Sequence, residues 1–441
     1  MSKKVFYKIG RSKWLVVVIV AVLLPLAVLS IYAIQNSTRD RNNTAAQTDQ
    51  IDKLIKEAQS RLDNDQQNPT RYADLCQLYL QKLRQTADTS LYSSCNELLD
   101  KASKINPDNE SVVAAQASVA YGLHDFSKGL MLSQKASKIN PDKAAYYGLI
   151  GDGQLELGMY DQATQSIQTM IDKKPELSAF NRVAYLRELY GEIDGAKAAL
   201  VSAISAGSSF PENVAFSQVE LGKLQARSDL NQAERTYMQA LRTEPDYPPA
   251  LEALGRLAFA RGDKDKAVDY FNQAFTRLPL AQYAANLGDV YASNNDADKA
   301  DSRYYLANLA FDESSKANVN TDYERSLYLS QRDMQAEQSL ELAKKAVAIR
   351  PNIFSFDALA WAYYRNKNYT AAEENISKAL ILGQHEPVIL YHAGRIAEKL
   401  GQKDQATMYL QKATSLDTYF LESHFSLLDK KEADEAIQRL K

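Results

Sequence analysis

Side chains that ionise, attack or coordinate are present in this chain of 441 residues, but few of them fall into a chemical pattern. The four histidines, His124, His385, His392 and His424, include no HExxH pair; His385 and His392 are seven apart with Pro387 between them and no carboxylate motif beside them. A solvated or hydrogen-bonded role suits them better than metal ligation. No GxxxxGK[ST] loop, no strand followed by GxGxxG and no GxSxG elbow occurs, and Gly148, Gly151 and Gly153 lie within a helical pattern rather than in a phosphate cradle. The only two cysteines, Cys76 and Cys95, join no histidine arrangement. The expectation is a non-enzyme with no catalytic residue, no cofactor and no metal. What the residue types do offer is recognition. Asp357, Trp361, Tyr364 and Arg365, then Tyr391, Arg395 and Lys399, recur every three or four positions. Trp, Tyr and Arg combine contact area, hydrogen bonds and cation–π attraction, the combination that dominates binding surfaces.

Helices must carry that spacing, and the chain repeats one helical unit. The stretch from Pro248 to Pro279 places apolar Leu251, Leu254, Phe271 and Phe275 among small Gly255, Ala267 and Ala274. Apolar residues recur at helical intervals, Gly262 and Asp263 interrupt them, and Pro279 ends them, so the stretch predicts two antiparallel amphipathic helices. Prolines mark the repeat: Pro107, Pro141 and Pro175 are 34 apart, as are Pro211, Pro245 and Pro279, and Pro279 to Pro351 spans 72, room for two units. Paired small residues keep the same register, among them Gly151/Ala163, Gly255/Ala267, Gly288/Ala300 and Gly394/Ala406. A large side chain where two helices cross would hold them apart. No convincing β alternation appears.

The period and the columns of small residues resemble the tetratricopeptide repeat family, from about Pro69 to Phe420, with one degenerate unit at about Asn320 to Pro351. The last two units look like the carboxyl end of a class of bacterial exported repeat proteins. The resemblance implies an all-α, right-handed superhelix of about ten helix–turn–helix repeats, here preceded by one transmembrane helix. It also implies that the first helix of each hairpin lines a concave groove. Carried over by position, the groove candidates are Asn181, Tyr185, Glu188, Lys223, Arg227, Glu252, Arg256, Phe259, Asp289 and Asp357. The richest cluster is Trp361, Tyr364, Arg365, Tyr391 and Arg395; the rival reading packs Trp361 between neighbouring hairpins. The Lys/Asn/Arg set with which some members clamp a free carboxyl terminus is missing. Aligned on Leu75, Tyr79 and Pro107, Cys76 and Cys95 fall on the two small-residue columns. They either form a disulfide or pack as two small residues, and both readings stand.

The ends are read from composition. Residues 1–13 carry Lys3, Lys4, Lys8, Arg11 and Lys13, and 14–34 are 21 residues without a charge. At about 1.5 Å per residue that run spans a bilayer core, and it exceeds a signal-peptide apolar region. The basic flank sets the amino terminus in the cytoplasm and the repeats outside it, in a single-pass membrane protein. Residues 35–50 read as a flexible linker, 51–68 as a capping helix, 69–415 as the solenoid and 416–441 as closing helices. In the closing stretch Glu432, Asp434, Glu435 and Arg439 supply a polar outer face. Removing the five leading basic residues from 52 leaves 47 against 55 acidic ones, which argues against a nucleic-acid partner. The expected role is a membrane-anchored scaffold that binds a protein or peptide in its groove. A holdase for unfolded clients, or a cytoplasmic-facing regulator (a class whose CxxC zinc pairs are missing here), are the alternatives.

Overall fold

Most hairpins divide their work between a first helix buried almost all round and a second that is apolar along a single stripe; in hairpin 4 the two helices bury four residues each. In Pro248–Ala260 every residue from Ala250 to Ala258 is buried, whereas Lys264–Arg277 buries only Ala267, Phe271 and Ala274. The first helix is therefore enclosed by neighbouring hairpins and by its own partner, and the second faces solvent on its polar side. Asp263 caps the second helix through its side chain, and Gly262 takes a positive φ of 80° in the turn, where a Cβ would be strained.

The computed structural model describes residues 41–421, 424 and 426–440. Among these, α1 is Arg41–Asn64, and ten hairpins follow. Hairpins 1 to 3 are α2/α3 (Pro69–Thr86, Ser90–Ile105), α4/α5 (Glu110–Gly122, Phe126–Ile139) and α6/α7 (Ala144–Glu156, Tyr160–Lys173). Hairpins 4 to 6 are α8/α9 (Leu177–Leu189, Ile193–Ala206), α10/α11 (Pro211–Ala226, Leu230–Thr243) and α12/α13 (Pro248–Ala260, Lys264–Arg277). Hairpins 7 to 10 are α14/α15 (Ala281–Ser293, Ala297–Lys316), α16/α17 (Asp322–Gln331, Ala336–Ile349), α18/α19 (Ile353–Arg365, Tyr369–Ala379) and α20/α21 (Pro387–Lys399, Lys403–Leu416). The closing helix α22 is Asp429–Leu440. The described residues contain helices and no strand, and the degenerate eighth unit folds as a hairpin like the rest.

The small-residue columns work one helical turn away from where the spacing suggests. A Cβ added at Gly255 would lie 2.7 Å from Phe271, and one at Gly394 would lie 2.6 Å from Leu410, each four residues beyond the paired alanine. Helical side chains lean toward the amino terminus, so the larger residue one turn on reaches back over the crossing. In hairpin 1 the columns hold Cys76 and Cys95. Both are fully buried, their Cα atoms are 4.9 Å apart, and they are bonded as a disulfide between α2 and α3.

Sequence periodicity says nothing about how tightly the stack coils, and within Leu54–Lys441 it coils onto itself. Arg350 pairs with Glu156 at 2.6 Å, Asn352 donates to the same carboxylate at 3.0 Å, and the backbone N–H of Ile353 donates to Tyr160 Oη at 2.8 Å. Arg277 donates to the Gln85 carbonyl, and His124 Nδ1 meets the Asn320 carbonyl. The partners in all these contacts lie 192 to 196 positions apart. Burial pushes the Glu156 carboxyl up against the counter-pull of Arg350. Successive turns of the solenoid are thus locked by polar contacts between hairpins about six units apart.

Two boundaries differ from the sequence reading. Helix α1 begins at Arg41, inside the stretch read as a flexible linker, because polar residues such as Gln47 and Gln50 extend a helix without any apolar period. The carboxyl end forms one closing helix, α22, after a non-helical stretch. Among the described residues no helix is long and apolar enough to cross a membrane; the expected spanning run, 14–34, lies outside them, as does the basic segment 1–13.

Candidate functional site

The inner faces of the first helices form the groove, and the chain's own end lies in it. Beyond α21 the segment turns back across hairpins 5 to 10. The N–H of Thr418 donates to the carbonyl of Arg227, just past α10, at 3.2 Å. Phe420 packs edge-on against Tyr391 with ring centroids 5.6 Å apart. Leu421 joins the apolar cluster of α10 and α12, and Leu427 joins the cluster around Ala258, Leu287 and Val290. The His424 ring stacks on Phe354 at 4.8 Å, and its carbonyl accepts from Gln331 Nε2. The N–H of Leu427 donates to Asp289 at 3.2 Å.

Asp289 is prepared for that bond. It is fully buried on α14, accepts both arms of Arg332 at 2.8 Å and the Tyr304 hydroxyl at 3.0 Å. A carboxylate with its charge already matched can still take a backbone donor through a remaining lone pair. The turn into α22 is local: Ser426 N–H donates to Asp429 at 2.7 Å, and Leu428 N–H donates to Ser426 Oγ at 3.0 Å, half of a capping box. Burial, seconded by the negative charge of Glu432, pushes the Asp429 carboxyl up to about 7; the Ser426 N–H and Arg365 oppose the rise and Asp289 adds to it.

Helix α22 then faces the aromatic end of the groove. Glu432 accepts from Arg395 Nη1 at 2.9 Å and from the Tyr391 hydroxyl at 3.3 Å, with Arg365 at 3.9 Å. Ala433 and Ala436 are fully buried in the same cluster as Trp361 and Tyr391, and Arg439 reaches Glu398 at 3.0 Å.

The expected groove residues divide on these contacts. Trp361 is fully buried, stacked between Tyr364 at 4.4 Å and His392 at 4.1 Å, with the Arg365 guanidinium 4.7 Å from its ring. It is a packing residue, because a first helix has apolar neighbours on every side. Tyr364, Tyr391 and Arg395 are buried as well, and Arg395 bridges the Tyr364 hydroxyl to Glu432. Arg365 is turned onto the backbone carbonyls of Ser330 and Gln331. Arg256 is buried in a network with Glu252 and Asn286, so it too is no free anchor. Asp357 is held by His392 at 2.8 Å. The earlier candidates are less covered. Tyr185 is 43% exposed, although the protein around it still desolvates its phenol and raises its pKa well above the ordinary value. Half-buried Asn181 accepts from Ser217 at 2.9 Å, and Glu188, Lys223 and Phe259 are part-exposed. The polar outer face expected of the closing helix is half right. Asp434 pairs with neighbouring Lys430, whereas Glu432 and Arg439 turn toward the groove. The described residues hold no group of three or more His, Cys, Asp or Glu side chains placed to bind a metal.

Two stretches, 224–281 in hairpins 5 and 6 and 388–419 in hairpin 10, match tetratricopeptide repeat family models. No curated protein matches the chain. Solved structures that resemble it include a human IFIT1 dimer with PPP-AAAA, at 16% identity over 71% of this chain and 72% of that one, TM-score 0.45. Yeast Tom70 is 16% identical over 89% and 96%, TM-score 0.38. PilW, a type IV pilus biogenesis factor, is 18% identical over 46% and 93%, TM-score 0.39. At such identities and scores these likenesses carry nothing about partner or pathway. The two matched stretches are tetratricopeptide repeats, and the ten like hairpins that contain and extend them repeat the same unit along the described residues.

Proposed function

We propose that the chain is a membrane-tethered, non-catalytic scaffold whose repeats lie outside the cytoplasm and hold a protein or peptide partner in the groove. The observation that supports the reading is the way the groove holds the chain's own closing segment. Side chains of Gln331 and Asp289 bind backbone groups of the closing segment, while Phe354 and Tyr391 take its rings. Hydrogen bonds to a peptide's backbone with separate seats for its side chains are a general means of recognising an extended segment. The tether rests on the 21-residue uncharged run with its basic leading flank, and the compartment on that flank together with the buried disulfide, a bond suited to oxidising surroundings.

Two experiments test it. A photo-crosslinking residue at Tyr185 should give one discrete adduct, while the same probe at Met131, 60% exposed on α5, should give none. A smear of many clients at Tyr185 would make the protein a holdase, and no adduct would remove the groove from the account. In intact cells an impermeant thiol reagent should label Cys76 and Cys95 only after an impermeant reductant has been added and the fold loosened. Labelling that needs lysis but no reductant would put the repeats in the cytoplasm.

A further inference from the structure

The closing segment is bound differently from one hairpin on the next. Successive hairpins pack by apolar stripes, but this segment is held through its backbone at Thr418, His424 and Leu427 by groups on α14, α16 and the end of α10. Its apolar side chains do not form one face. Phe420, Leu421 and Leu427 enter three separate apolar clusters, a peg-and-socket arrangement. Phe420 also takes a left-handed φ of 54°, a strained state for an aromatic residue that the sockets on either side must hold in place. Charge is matched at two points: Glu432 sits among Arg365, Arg395 and the Tyr391 hydroxyl, partly open to solvent, and Arg439 pairs with Glu398 at 3.0 Å.

We propose that the groove of hairpins 5 to 10 is a peptide-binding surface occupied in cis by this segment, and that it takes in trans a partner segment of the same chemistry. That chemistry is an extended stretch with an aromatic and two leucine-like pegs, followed by a short helix opened by a Ser-x-x-Asp turn. The helix presents one glutamate to Arg365 and Arg395 and an alanine face to the Trp361 cluster. This deepens the scaffold reading and rests on it. The tests separate, because peptide uptake reports on hairpins 5 to 10 and crosslinking at Tyr185 reports on the open groove of hairpin 4.

The probe is a fluorescent peptide of residues 417–441 titrated onto the full-length protein. The unaltered chain should bind it weakly, because its own segment competes. Glu432→Lys in the full chain should tighten binding of the unaltered peptide by at least about tenfold, since apparent affinity scales with the fraction of sites left open, and a site open at most about a tenth of the time binds at least about tenfold more weakly. A peptide carrying the same substitution should bind neither protein. Equal, weak binding to both proteins, with helicity and melting of the Glu432→Lys chain preserved, would overturn the proposal. Should that variant not fold, hydrogen exchange of the unaltered chain decides. Amides of 426–440 should exchange together and sooner than those of hairpins 5 to 10. Exchange of that segment only on global unfolding would make it an integral part of the core and overturn the proposal. A concentration-dependent dimer that excludes the peptide would make a second copy the occupant and would also overturn the partner assignment.

Discussion

Hairpin 4 and hairpins 9 and 10 present the same positions of the same repeat to the same groove, yet they end in opposite states. Tyr185 on α8 is 43% exposed, while Tyr391 on α20 and Trp361 on α18 are fully buried. The residue types do not account for the difference; what lies across them does. The closing segment covers the later hairpins and packs Phe420, Ala433 and Ala436 into their aromatic cluster; hairpin 4 joins that cluster through Leu189, Val183 and Leu186, and Tyr185 stays outside it. An aromatic on an inner helix therefore signals a socket, and availability is decided by whether the chain's own end has filled it.

The comparison breaks most severely if the two regions respond alike to truncation. Trp361→Ala should cost about 3–5 kcal/mol, the usual range for emptying an aromatic site in a packed core. It removes the ring sandwiched by Tyr364 and His392, and chemical denaturation should show the midpoint fall. A loss under about 1 kcal/mol would mean that the cluster collapses around the gap or is already open. The next effect lies at the other end of the solenoid. Cys76 and Cys95 close a loop of 19 positions, and a cross-link of that size is worth about 3 kcal/mol. Unfolding of the oxidised protein compared with the Cys76→Ala variant measures it, and hydrogen exchange should place the loss in hairpin 1. No change would leave the pair as two small packed residues.

How much of this the sequence announced depends on the distance over which each contact acts. The ten hairpins were readable because a helix and its turn are local: Pro279, Gly262 and Asp263 punctuate residues beside them. Cys76 and Cys95 were readable as neighbours because hairpin 1 keeps the register of the others despite its longer first helix, Pro69–Thr86. The lock between successive turns was not. Glu156 and Arg350 are 194 positions apart, and no periodicity encodes the coil that joins them. Glu432 was misplaced for a different reason. Its helix has polar residues on two faces, and spacing alone does not say which one meets Arg395. The SLLD sequence at Ser426–Asp429 did carry a legible capping signature that would have fixed where α22 starts.

A finer probe of the same contrast is pH. The Asp429 carboxyl sits at about 7 in the folded protein, above its ordinary value near 4. A carboxyl raised on folding binds its proton more tightly in the native state. Stability then grows as pH falls from about 7 toward 4, and is lost as pH rises through the folded value. Between pH 7 and pH 5 the gain from this group is roughly 2 kcal/mol. Glu244, pushed up to about 7 by burial with Glu212 adding to it, titrates in the same window in hairpin 5, so whole-protein stability alone does not isolate the effect. Asp429→Asn should abolish the pH dependence of amide protection in 426–440, measured against the intrinsic exchange rate at each pH, and leave that of hairpin 5 intact. If the segment's protection keeps its pH dependence in that variant, another group governs its docking.

The smallest energetic effect belongs to the open half of the comparison. Tyr185→Ala removes a side chain that is 43% exposed and has no part in the apolar clusters, so stability should move by less than about 0.5 kcal/mol, within the range of ordinary surface changes. Binding should respond quite differently. If hairpin 4 is where a partner first meets the groove, its loss should weaken capture measured at a crosslinking probe on neighbouring Lys223, with the melting curve unchanged. The closed half gives the opposite pairing, a large loss of stability on truncation at Trp361. A Tyr185→Ala protein that melts several degrees lower would show instead that hairpin 4 is also covered, and that the two halves of the groove differ only in how firmly they are filled.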